Sequence, residues 1–327
     1  MRTSIPLLLI ALLSCHSAPA ASWDALFPAS DGTPKVLAPD VLSTGDDESH
    51  ASVFPDGRTL YFLKNTPSFD FYTIVYSALR GGKWSRPQVA PFSGRYSDCD
   101  IVFTSDGRRA YFVSARPVDG KPRDDGDIWT IERDEHGKWS EPRHVTELSS
   151  PTDEWFPTLT ADGTIYFGSD RPGGVGGTDI WRARFVTGKF QPPENLGAPV
   201  NSQGDEIEPF ISADEQTLII AARNRGDAVG AYDLYVAKRN GERWDTPRHP
   251  GPPINSTGWD FAPRLSPDGR IFVFTSNRRS GPQTPDRKLT FDELERRLHA
   301  PGNGLRDIYY VSADALISGP PPTSHAQ

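Results

Sequence analysis

Residues 158–167 read TLTADGTIYF, and residues 168–181 continue GSDRPGGVGGTDIW. Two apolar, β-rich runs flank Asp162-Gly163, the strongest short-range signal for a hairpin, because glycine takes a positive φ at little cost. The same phrase recurs as SVFPDGRTLYF from Ser52, IVFTSDGRRAYF from Ile101, FISADEQTLII from Phe210 and RLSPDGRIFVF from Arg264. The turn acids Asp56, Asp106, Asp162, Asp214 and Asp268 are 50, 56, 52 and 54 residues apart. The fourth copy carries Glu215 in place of glycine, which predicts a wider turn.

A second phrase follows each hairpin: TIVYSALRGGKW from Thr73, DIWTIERDEHGKW from Asp127, DIWRARFVTGKF from Asp179, DLYVAKRNGERW from Asp233 and DIYYVSADAL from Asp307. Each reads as a third strand. In four copies Pro87, Pro142, Pro193 or Pro247 then opens a shorter fourth one. Four strands in each of five repeats of ~50 residues predict an all-β fold, a single β-propeller of five four-stranded antiparallel blades. The last repeat stops after its third strand, near Ile317. The orphan segment Pro34–Ser43 matches the segment starting at Pro193 at offsets +3, +7 and +9. The N-terminal strand is therefore expected to complete the last blade and remove two open edges.

The repeat resembles the WD40-like repeat of TolB-type β-propellers, most fully in copy three: Glu154, Pro157, Ala161-Asp162-Gly163, Ser169-Asp170-Arg171, the glycines of 173–177 and Asp179-Ile180-Trp181. The resemblance covers residues 33–317 and implies the propeller fold. For function it implies a binding module or a part of an enzyme, since one scaffold hosts both.

Composition agrees with this class. Gly 29 and Pro 31 disfavour a helix bundle, and eight Trp argue against disorder. Lys+Arg 35 against Asp+Glu 43 leaves a net charge of −8, which disfavours non-specific nucleic-acid binding. Met1-Arg2 and the apolar run 5–13 read as an export signal, too short to span a membrane. Two cleavage readings stay open. Residues 1–20 form a signal peptide cut after Ala18-Pro19-Ala20, or a lipobox ends at Ser14 and Cys15 carries a lipid. The chain is then expected in the periplasm or anchored at the outer membrane. A linker over 21–32 and a disordered tail over 318–327 complete the expected organisation. With Cys15 and Cys99 the only cysteines, disulfides do not hold the fold.

Eight residues before each turn acid stands another carboxylate: Glu48, Asp98, Glu154, Glu206 and Asp260. On the first strand of each blade they would ring the channel mouth. Two readings follow. Converging carboxylates suit a hard cation such as Ca²⁺, although the fold requires no cofactor. Alternatively Arg116, Arg171, Arg223 and Arg278, with Asp127, Asp179, Asp233 and Asp307, make an ion-pair lattice. Copy one has Lys64-Asn65 and Thr73 there, leaving Glu48 the least compensated acid.

The repeats differ most in the last copy, where about 28 residues join strands two and three, as if to host a site. Thr290 with Glu293 forms a capping box, and Phe291, Leu294 and Leu298 make a one-sided stripe, so a short helix is expected over the acidic face. It either caps the channel or packs as decoration on its own blade. Trp84, Trp139 and Trp244 recur at matching positions and read as inter-blade packing. No G-x-S-x-G, HExxH or phosphate-loop motif occurs.

These readings give a monomeric, non-enzymatic, exported module that binds a protein or cell-envelope component. Glu48, Asp98, Glu154, Glu206, Asp260, Phe291 and Arg296 are its candidate contacts, and membrane contact comes only through a lipid on Cys15. The alternative is a glycan-active enzyme using carboxylates of the acidic ring.

Overall fold

A computed structural model describes residues 23–318 apart from 124 and 283. The signal or lipobox segment with Cys15, and residues 319–327 of the expected tail, lie outside the described residues. Five antiparallel blades form a closed ring. Blade one comprises Asp47–Val53, Thr59–Asn65, Tyr72–Arg80 and Gln88–Val89. Blade two comprises Asp98–Phe103, Arg109–Ser114, Asp127–Glu132 and Arg143–His144, and blade three Glu154–Leu159, Ile165–Ser169, Asp179–Ala183 and Glu194–Asn195. Blade four holds Asp205–Ile211, Thr217–Arg223 and Asp233–Asn240, its fourth strand reduced to a bridge between Val236 and Arg248. Blade five is built from Asp260–Leu265, Ile271–Ser276 and Asp307–Ser312.

The N-terminal strand closes that last blade as the matched offsets predict. Lys35 pairs with Tyr310 and Val36 with Tyr309. The segment before it is not a free linker. Trp23, Leu26 and Phe27 are buried, and the Phe27 ring lies 5.5 Å from that of Tyr310. Burial of large apolar side chains outweighs the chain entropy that would otherwise leave such a segment loose.

The turn in blade four is no wider than the others. The Glu215 amide donates to the Ser212 carbonyl at 2.8 Å, as the Gly107 amide does to Thr104 at 2.8 Å. Glu215 takes the left-handed conformation at φ 57°, where glycine is the easier residue. Its carboxylate accounts for the choice. It accepts from Tyr166 Oη of the neighbouring blade and pairs with Arg239 at 2.6 Å. Trp139 and Trp244 are buried in the apolar layers between blades, and Trp84 packs partly buried against another.

Every first strand carries the same irregularity. Its register slips by one residue between Ser49/Ser52, Cys99/Val102, Trp155/Thr158, Ile207/Phe210 and Phe261/Arg264. At each slip one residue has a positive φ: His50, Asp100, Phe156, Glu208 and Ala262, all between 50° and 58°. A bulge re-aims the side chain that follows it, and here it does so five times around one axis.

Candidate functional site

Three tiers of side chains follow one another along the first strands. The outermost, toward the loops joining strands two and three, holds the five repeated acids. All five side chains are fully buried. Arg116 meets Asp98 at 2.6 Å, Arg171 meets Glu154 at 2.7 Å, and Arg278 meets Asp260 at 2.6 Å. Glu206 pairs at 2.8 Å with Arg225, not with Arg223, which binds Asp205 instead. Glu48 is compensated after all, since Lys64 reaches it at 2.5 Å and Thr44 Oγ1 donates at 2.6 Å.

Each arginine also donates to a carbonyl of the loop entering its blade: Phe92, Leu148, Val200 or Ile254. Ser150, Ser202 and Ser256 of those loops donate to the same acids. The acids therefore fasten one blade to the next, the ion-pair lattice expected from sequence. The third-strand acids do not share these arginines as expected. Asp233 accepts from the Val229 and Gly230 amides, and Asp307 from the Gly302 amide at 2.7 Å. Loops leave some of their amides unpaired, and a carboxylate at the strand start satisfies them.

Asp307 has no ion pair among the described residues, and its Oδ1 is buried with no hydrogen bond. Burial pushes its carboxyl up to about 7, against the single bond from Gly302. Between the ordinary aspartate value of 3.8 and about 7 the folded chain holds a proton that the unfolded chain releases, so stability falls as pH rises through that window. Asp307→Asn keeps the Gly302 contact and removes the charge. It should stabilise the protein by about 1–2 kcal/mol at pH 8 and change nothing near pH 3.5. Thermal unfolding at the two pH values checks this, and an equal shift at both refutes it.

The second tier is the bulge ring, which the sequence reading passed over. His50 Nε2 lies 3.2 Å from Glu208 Oε1 and 3.5 Å from Asp100 Oδ1. The other oxygens of these acids stitch blades together, Asp100 Oδ2 accepting from the Phe156 amide at 3.0 Å and Glu208 Oε2 from the Ala262 amide at 2.6 Å. The His50 amide donates to Thr275 Oγ1 of blade five at 3.0 Å. Burial alone would lower the imidazole pKa, but Asp100 and then Glu208 outweigh it and hold it above the usual histidine value. Burial raises the Asp100 carboxyl, against the pull of His50.

The third tier, at positions four before the turn acids, comprises Ser52, Val102, Thr158, Phe210 and Arg264. All five line a cavity of about 1070 Å³ that opens on the Asp-Gly turn face. Arg264 is buried, with its guanidinium 3.7 Å from the centre of the Phe156 ring.

Phe291–Leu298 is a helix with the expected capping box, Thr290 and Glu293 bonding reciprocally. Its last turn rests on the loop entering blade one. A β-carbon on Gly45 would stand 2.4 Å from the His299 backbone, and Asn303 Nδ2 donates to the Gly45 carbonyl at 3.0 Å. The helix buries none of its residues; Phe291 is 71 % exposed, with Leu294, Leu298 and Arg296 also at the surface. Phe71, Val175 and Val229, from the matching loops of blades one, three and four, are exposed too, as is Trp259 at the entry to blade five. Of the sequence-predicted residues, the structure thus buries the five acids in clamps and leaves Phe291 and Arg296 on the loop face.

No family model and no curated protein sequence matches this chain. Among solved structures it is similar to TolB from Acinetobacter baumannii, at 19 % identity and a TM-score of 0.49 over 72 % of this chain and 50 % of that one. The chain thus spans half the length of that TolB. It is also similar to a protein carrying the TolB designation from Agrobacterium tumefaciens, at 15 % identity and 0.48 over 82 % of this chain and 90 % of that one. An α-L-arabinofuranosidase from Lactobacillus brevis reaches 15 % and 0.46 over 84 % and 92 % respectively. These likenesses concern the propeller architecture, which a TolB and a glycosidase have in common.

Proposed function

We propose that the protein is an exported, non-enzymatic binding module that docks a protein of the cell envelope on its loop face. The observation that carries this reading is the apolar crown of that face. Four blades expose Phe71, Val175, Val229, Phe291, Leu294 and Leu298 through equivalent loops. Exposed apolar residues gathered on one face mark an interaction surface, while scattered ones do not. Arg296 gives this surface a charged rim. The basic start and apolar run of residues 1–13 support export.

The glycan-active alternative needs two carboxylates in different states beside an open site. The five acids on which it rested are each closed by a lysine or arginine, and those same pairs oppose Ca²⁺ binding there.

A photo-reactive residue at Phe291 in living cells should trap one discrete protein adduct in the envelope fraction. The same probe at Val186, on a different loop, should not. Leu294→Ser with Leu298→Ser should reduce the adduct at least fivefold without shifting the melting temperature. Equal trapping at both positions, or an adduct confined to the cytoplasmic fraction, overturns the proposal.

A further inference from the structure

The geometry points to a second binding site, on the turn face, for a small organic monocarboxylate with an apolar body. Arg264 is its receptor. The residue is only 6 % exposed, and its Nε is buried without a hydrogen-bond partner. Its guanidinium donates to the Pro263 carbonyl at 3.2 Å and makes no ion pair among the described residues. Elsewhere in the ring, arginines of comparable burial hold carboxylates at 2.6–2.7 Å, as Arg116, Arg306 and Arg171 do. A buried guanidinium with no carboxylate in ion-pair contact is therefore the exception among the described residues, and Arg264 lines the cavity of about 1070 Å³.

The surroundings restrict what enters. Ser52 and Thr158 put hydroxyl donors on the same ring of five as Arg264, while Val102 and Phe210 supply apolar walls. A planar carboxylate matches the guanidinium fork, with hydroxyls to fill its remaining lone pairs. The carbon chain behind it meets Val53, Phe103, Leu159 and Leu265, which also line the cavity. Behind Arg264 lie Asp100 and Glu208, whose charges face the guanidinium. His50 offsets one of those charges and Arg264 the other, so the cluster is neutral; a monocarboxylate adds one negative charge beside the cation, whereas a phosphate dianion adds two and is repelled more strongly. The site is distinct from the loop face, so either proposal stands or falls without the other.

Octanoate, with octan-1-ol as the uncharged control, tests this by ligand-observed NMR titration of the whole mature protein. Octanoate should bind at least tenfold more tightly than octan-1-ol. Arg264→Gln should remove that preference and leave the alcohol's affinity unchanged. Equal affinities in the native protein, no octanoate binding at 10 mM (on the order of the weakest affinities of interest), or a preference that survives Arg264→Gln overturns the assignment. Should Arg264→Gln fail to fold, Val102→Trp decides, because it keeps the cation and narrows the inner ring. Octanoate affinity must then fall at least tenfold, and unchanged affinity refutes the site.

Discussion

Removing residues 23–43 should leave a chain that does not fold to a monomer. The deletion takes away the Lys35–Val36 strand and, with it, the buried side chains of Trp23, Leu26, Phe27, Leu37 and Leu42. At ~1.5–3 kcal/mol for each large apolar side chain, the loss is comparable to the whole stability of about 5–15 kcal/mol expected of a domain. It also uncovers the edge of the Asp307–Ser312 strand, which then offers unpaired backbone groups to other chains. Size-exclusion chromatography should show aggregate, and a synthetic peptide of residues 23–43 added during refolding should recover monomer. A truncated chain that elutes as a monomer with an unchanged melting temperature would show that the ring does not depend on this closure.

The second large effect belongs to the axis. His50→Leu should cost about 3–5 kcal/mol, because it leaves Asp100 and Glu208 buried without the group between them. Two opposed effects set how that cost varies with pH. In the native protein the raised imidazole stabilises fully below the ordinary histidine value of 6.5, and that contribution is lost as pH rises through the folded value. In the variant, Asp100, already raised by burial, takes up a proton on folding, so acid stabilises it. Chemical unfolding at pH 5 and pH 8 measures both effects. Adding Asp100→Asn and Glu208→Gln to His50→Leu should recover most of the loss at pH 8, since amide oxygens still accept from the Phe156 and Ala262 amides. A triple variant as unstable as the single one would mean that the ring of His50 is needed for packing rather than for charge.

The turn acids and the two ends of the repeat array made the architecture legible in sequence. Asp-Gly between β-rich runs constrains backbone geometry locally. Leu37 and Leu196, at the same offset, both donate through their amides to the third strand of their blade, at Ile308 and Ile180. Beyond them the match slips by one residue, Thr44 rather than Ser43 taking the place of Ser202. The acidic ring was legible as a pattern, and its lattice reading holds for the first-strand acids but not for Asp127, Asp179, Asp233 and Asp307. Arg225 was missed for Arg223 because two basic residues stand two apart after the second strand, and spacing alone does not say which one turns inward. The axial tiers went unread for a different reason. Repetition draws attention to what the copies share, whereas positions six and four before each turn acid differ in every copy: His50, Asp100, Phe156, Glu208, Ala262, and Ser52, Val102, Thr158, Phe210, Arg264. Charged groups present in only some copies were the available signal. The bulges that aim them inward have no such signal, because non-glycine residues occupy all five left-handed positions.

The pairing of Lys35 with Tyr310 also sets a clock. A ribosome adding roughly 5–20 residues per second needs about 15–55 s to travel from the first of these residues to the second. Blades one to four are complete in sequence before then, but blade five has no outer strand to receive until the chain's earliest β-segment returns to it. Spanning that distance costs more loop-closure entropy than any hairpin in the ring, though the cost grows only with the logarithm of loop length. The newborn molecule thus passes through an open crescent with an unpaired strand edge at each end until the two meet.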